Sequence, residues 1–191
     1  MSASTRWETV DGDRPLSRAR SARLSAAPVA TRRSGVVICA LTPEGDVDLA
    51  TARRLIAAAG DASVTFHRAF DMARDPFTAL EQLVDLGVHR VLTSGQESSV
   101  LEGAPLIAEL VDKAAGRLIV MPGGGITERN IARIAAMTGA DEFHFAALVS
   151  SDSPAVHRNP APIMGGVLHR PEYERSTTSQ DLVSRVIAAA A

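Results

Sequence analysis

The chain reads as an α/β domain built on a parallel sheet, and three observations predict it. From Gly35 to about residue 150, apolar runs rich in Val, Ile and Leu alternate with amphipathic stretches about every 25 residues, the rhythm of βα units. The runs are apolar at successive positions, as strands covered on both faces must be. Turn and capping residues such as Gly60, Asp75-Pro76, Gly87 and Gly139 punctuate them where strand and helix must exchange.

Taken in order, GVVICAL (35–41) predicts a buried first strand, followed by a turn over Thr42 to Gly45 and a helix over 47–59 that Gly60 ends. SVTFH (63–67) predicts the second strand. Asp75 is placed to cap the next helix with Pro76 as its first residue, and Phe77, Leu80, Leu83 and Val84 form its apolar face. HRVLTS (89–94) is the third strand. Its helix carries Leu106, Ile107, Leu110, Val111 and Ala114, with Pro105 expected near the first turn and Gly116 as the stop. RLIVM (117–121) is the fourth strand, and Thr127 can cap a helix with Ile131, Ile134 and Ala135 on one face. DEFHFA (141–146) predicts a fifth strand. Residues 151–176 are rich in Pro, Gly and Ser and predict a long loop before a last helix over about 178–190, so that 35–150 is the ordered core and 151–191 completes the same domain.

Composition bounds the function. A net charge of −2 over 191 residues marks no nucleic-acid or membrane partner, and no apolar run is long enough to span a bilayer. A single cysteine, Cys39, excludes an internal disulfide and fits a reducing compartment, so a cytoplasmic location is expected. Residues 1–34, rich in Arg, Ser and Ala, read as a disordered leader.

In parallel α/β folds the loops after the strands' carboxyl ends build the site, which gives weight to FHRAFD, TSGQ, MPGGGI and EFH. Alternation along the second strand puts Thr65 and His67 on one face, with Val64 and Phe66 on the other. Arg68 and Asp71 follow, either to hold an anion and orient an imidazole or simply to pair with each other. Glu142 and His144 share a face and could serve as acid and base, as metal ligands, or as a satisfied core pair. Gly123, Gly124 and Gly125 precede a helix, where backbone N–H groups favour an anion, although the same glycines could merely form a tight turn. Ser94 could donate a hydroxyl to a ligand. Soft ligands for a copper ion are thin: Met72 and Met121 stand near strand ends, and Cys39 in an apolar strand reads as an inert buried thiol.

GVVICALTPEGDVD, VTFHRAFDMARDP, LGVHRVLTSGQ, IVMPGGGI and EFH together closely resemble the CutC family of copper homeostasis proteins, over residues 35–146. The resemblance implies a TIM-type (β/α) barrel, here partial with about five βα units, because three βα units that begin the family's barrel have no counterpart in the leader. It also implies a cytoplasmic protein associated with copper, and it singles out His67, Arg68, Asp71, Ser94, Gly95, Gly123, Gly124, Gly125, Glu142 and His144. Cys39 departs from it, standing where the family usually has a small residue. The residues alone favour a metal-independent barrel enzyme acting on a small anionic substrate. The resemblance favours copper homeostasis with copper as cofactor, and a truncated inactive copy is the third expectation. Five strands cannot close an eight-stranded barrel, so self-association into a homo-oligomer is also expected.

Overall fold

The computed structural model describes residues 35–159, 161 and 173–190. The expectation of a disordered leader over 1–34 lies outside them. Four strands, β1 (Gly35–Ile38), β2 (Ser63–Phe66), β3 (Arg90–Thr93) and β4 (Ile119–Pro122), form one parallel sheet in the order β1-β2-β3-β4. They are joined by the helices α1 (Leu49–Ala59), α2 (Pro76–Asp85) and α3 (Val100–Ala114), and α4 (Ile131–Thr138) follows β4. Parallel neighbours need such crossovers, and the crossovers cover one face of the sheet. This is an α/β fold consistent with part of a TIM-type barrel.

The alternation of side chains divides the sheet into two environments. Val64, Phe66, Val91 and Val120 face the helices and are buried in one core with Leu80, Leu83, Ile107, Leu110, Ile131 and Ile134. The opposite, concave face carries Val37, Thr65, Arg90 and Leu92. On β1 it is open: Val37 is 56% exposed, because β1 pairs only with β2 among the described residues.

Local chemistry sets the helix starts. Asp48 accepts the Thr51 N–H at 3.0 Å, and Asp75 accepts those of Phe77 and Thr78 at 2.9 and 3.1 Å, satisfying donors that the first helical turn leaves orphaned. The third helix begins earlier than its apolar pattern suggests. Ser99 caps it by accepting the Glu102 N–H and also donates to the Glu102 carboxylate, so Pro105 lies inside α3 rather than in its first turn.

The structure corrects three expectations, two of them in the carboxyl-terminal part. DEFHFA does not form a strand: its only ladder contact is a single parallel bridge from His144 to Gly123, and Ala147, at φ 43°, then turns the chain away. The strand comes later, as β5 (Leu148–Asp152), which pairs antiparallel with β6 (Glu174–Thr178) where a loop was expected. The last helix, α5 (Gln180–Ala190), packs on α4 and buries Val186 and Ala190. The third correction is Cys39, which is exposed rather than buried. It lies one residue past β1, two positions from Val37 and so on the same open face. No helix among the described residues is long and apolar enough to cross a membrane.

Candidate functional site

The carboxyl ends of β2, β3 and β4 meet around a cleft of about 400 Å³. His67 continues β2 by one residue, its N–H donating to the Ile38 carbonyl at 2.8 Å, so its side chain stays on the concave face. One turn of 3-10 helix, Arg68–Met72, then reverses the chain. The buried ring of Phe70 anchors this turn, and the three-residue repeat puts Arg68 and Asp71 on one side of it.

Asp71 is the hub of the region. Its carboxylate accepts from Arg68 Nε at 2.7 Å, from the Thr93 hydroxyl, and from the backbone N–H groups of Ser94 and Gln96 at 3.0 and 3.3 Å. One buried side chain thereby holds both the turn after β2 and the loop after β3. Arg68 Nη2 donates to Ser94 Oγ at 2.6 Å, and the single Ser94 proton has the Glu97 carbonyl at the same distance. Ser94 is fully buried and does not line the cleft. Gly95 also faces away from it. A side chain there would meet the backbone oxygen of Gly103 at 2.3 Å, so Gly95 lets the loop pack on α3.

The glycine run after β4 does line the cleft, with His67, Arg68 and His144. A β-carbon on Gly124, where φ is 134°, would come within 3.3 Å of Arg68 Nη1. The absence of one is what lets this backbone approach the guanidinium. His144 is held to β4 by its N–H, which donates to the Pro122 carbonyl at 2.9 Å. Burial, and after it the charge of His67, pull the His144 imidazole below its ordinary pKa of 6.5 and favour its neutral form.

Glu142 is not brought into this cleft. Its carboxylate accepts from Arg90 Nε at 2.6 Å and Nη2 at 3.2 Å, while Arg90 Nη1 donates to Ser63 Oγ at 2.9 Å. Arg90 and Ser63 are the first residues of β3 and β2, so Glu142 is turned toward the strands' amino ends. The structure therefore groups His67, Arg68, His144 and the Gly123–Gly125 run, places Asp71 and Ser94 beneath them as supports, and separates Glu142 and Gly95. Sequence reasoning overlooked Arg90, although an arginine inside a buried apolar run signals a buried partner. It also overlooked the apolar cleft wall of Phe145, Leu148 and Leu182, which only the packing of α5 and β5 creates. Among the described residues no three His, Cys, Asp or Glu side chains cluster to hold a metal ion.

Comparison with known proteins follows the same outline. A family model described as the CutC family matches residues 25–149. A CutC family protein of Parabacteroides distasonis is 52% identical over 153 residues, covering 80% of this chain and 63% of the relative. The mouse copper homeostasis protein cutC homolog is 51% identical over 144 residues, covering 75% of this chain and 53% of the relative. A crystal structure of the copper homeostasis protein CutC from Streptococcus agalactiae superposes with a TM-score of 0.54 at 32% identity, over 56% of this chain and 53% of that one. The chain thus spans between half and two thirds of the length of these relatives.

Proposed function

The chain belongs to the CutC family, and on that footing we propose that it is a cytoplasmic copper-homeostasis protein whose working part is the cleft at the carboxyl ends of β2 to β4. The observation that carries this reading is the kinship with mouse and human relatives named for copper homeostasis, at 51 and 50% identity. The donor chemistry sets its terms. His67 and His144 offer two imidazoles to one cleft, and the exposed Cys39 follows Ile38, whose register partner Phe66 precedes His67. Imidazole and thiolate both suit Cu(I), but a set this sparse implies weak and exchangeable binding of copper as cargo. Anaerobic titration of the full chain with Cu(I) against chelators of graded strength tests this. A weak site lost in His67→Gln supports the reading. Absence of binding at every competitor strength, or binding indifferent to His67→Gln, defeats it.

A second reading is a barrel enzyme acting on a small anionic substrate without a metal. The orientation of Arg68 favours it. Asp71 and Ser94 hold two of its nitrogens, which leaves the third beside the glycine run, in a cleft the two histidines also line.

A further inference from the structure

We propose that the cleft binds the phosphate group of a small phosphate monoester, with Arg68 Nη1 and the backbone N–H groups of Gly124, Gly125 and Ile126 as its donors. The inference deepens the anionic-substrate reading above and rests on it.

The state of the Arg68 guanidinium narrows the kind of anion. A carboxylate is read by arginine through two parallel hydrogen bonds from one edge of the planar fork. Here one edge of Arg68 is committed, Nε to Asp71 at 2.7 Å and one Nη2 proton to Ser94 at 2.6 Å, which leaves the Nη1 protons and the second Nη2 proton for a ligand. A carboxylate on the remaining edge leaves the surrounding backbone donors unmet, whereas a tetrahedral anion can give one oxygen to Nη1 and its other oxygens to donors in different directions. The glycine run supplies such donors. Gly124, Gly125 and Ile126 all line the cleft, and their N–H groups have no backbone or side-chain acceptor among the described residues. Their carbonyls are otherwise used: that of Gly124 accepts from Val100 N–H at 3.0 Å and that of Gly125 from Asn130 Nδ2 at 2.9 Å. These bonds fix the peptide planes that carry the Gly125 and Ile126 N–H groups, so those donors are held in place before any ligand arrives. Gly124 is also where the backbone comes within reach of Nη1, so loop and guanidinium can grip a single group.

The rest of the cleft points to an ester rather than to free phosphate. Phe145, Leu148 and Leu182 form an apolar wall suited to a carbon skeleton. Glu128, a negative charge on the rim, is paired with Arg185 at 3.6 Å.

The test is titration of the ¹⁵N-labelled full chain, at constant ionic strength, with glycerol 2-phosphate, inorganic phosphate and acetate. Saturable shifts of the Gly124, Gly125 and Ile126 amide signals are expected with both phosphates, tighter for the ester. Acetate should bind about tenfold more weakly, and Arg68→Lys, which keeps the charge but not the planar geometry, should weaken the ester about tenfold. The ¹⁵N spectrum of the variant reports its folding, and if it does not fold the contrast with acetate in the unaltered chain decides. Inorganic phosphate binding as tightly as the ester would overturn the monoester assignment. Acetate saturating the site in place of phosphate would overturn the phosphate class and leave the anionic reading standing. No saturation by any of the three would overturn both, and an Arg68→Lys variant that folds and binds like the unaltered chain would overturn the role of Arg68.

Discussion

Two arginine–carboxylate pairs sit toward opposite ends of the same sheet, and they differ in what each leaves unspent. Arg90 and Glu142, near the amino ends, are 8 and 11% exposed, and all three guanidinium nitrogens are engaged. Arg68 and Asp71, at the carboxyl ends, are 38 and 8% exposed, and one nitrogen still faces an open cleft. A pair closed on itself can only hold the chain together. The pair whose carboxylate is buried and whose cation is half free fixes a charge in position and presents it to a ligand. The difference lies in the neighbours: Ser63 completes the first guanidinium, while a glycine without a β-carbon stands opposite the second.

The comparison can be broken most forcefully at the closed pair. Replacing Glu142 by Ala leaves a buried, uncompensated guanidinium and should cost about 3–5 kcal/mol in chemical denaturation. The double replacement Arg90→Met with Glu142→Leu should recover most of that loss. A single Glu142→Ala chain as stable as the original would show that this pair is not the bolt it looks like. At the open pair, Asp71→Ala should cost less, about 1–3 kcal/mol, because the orphaned groups are mostly neutral N–H and hydroxyl donors rather than a buried charge. It should also raise hydrogen exchange at the Ser94 and Gln96 amides, and unchanged exchange there would count against Asp71 as the hub of the two loops.

Arg68→Lys should sharpen the contrast from the other side. As a half-exposed cation it should shift unfolding by less than about 1 kcal/mol, whatever it does to ligand binding. A loss as large as that for Glu142→Ala would make the two pairs equivalent structural ions.

The smallest expected effect belongs to His144, whose pKa is lowered by burial and by the charge of His67. The unfolded chain takes up this proton more readily than the folded one, so stability rises with pH across the window. The contribution is whole above the ordinary value of 6.5 and is lost as pH falls from there toward the lowered folded value. His144→Gln should flatten the decline of Tm on the acid side of that window. A slope identical to that of the unaltered chain would place the acid sensitivity elsewhere.

Much of the fold was legible because its signals are local. Asp75 followed by Pro76 marks a helix start whatever surrounds it, and the alternation in VTFH already puts His67 on the face away from the helices. Other signals were legible and misweighed. The Ser99 and Glu102 pair announces the start of α3 one turn before the apolar face becomes visible. The fifth strand misled for a nonlocal reason: DEFHFA has strand composition, but a strand exists only where a neighbour offers a ladder, and here only Pro122 and Gly123 do.

The sequence by itself therefore determined the parallel α/β architecture, the order of β1 to β4 and of the helices among them, and the residue types gathered at the strands' carboxyl ends. Hydrophobic period, caps and turn residues act over a few neighbouring positions and need no knowledge of the rest of the chain. Only the tertiary structure decided that Glu142 bonds to Arg90 while His144, two residues on, lines the cleft, and that Cys39 is exposed. It also decided that the Arg68 guanidinium keeps one free arm opposite Gly124. Each of these depends on which side chain arrives from another strand or loop to take up a charge or cover a face, and pairings across tens of residues are set by packing rather than by local spacing.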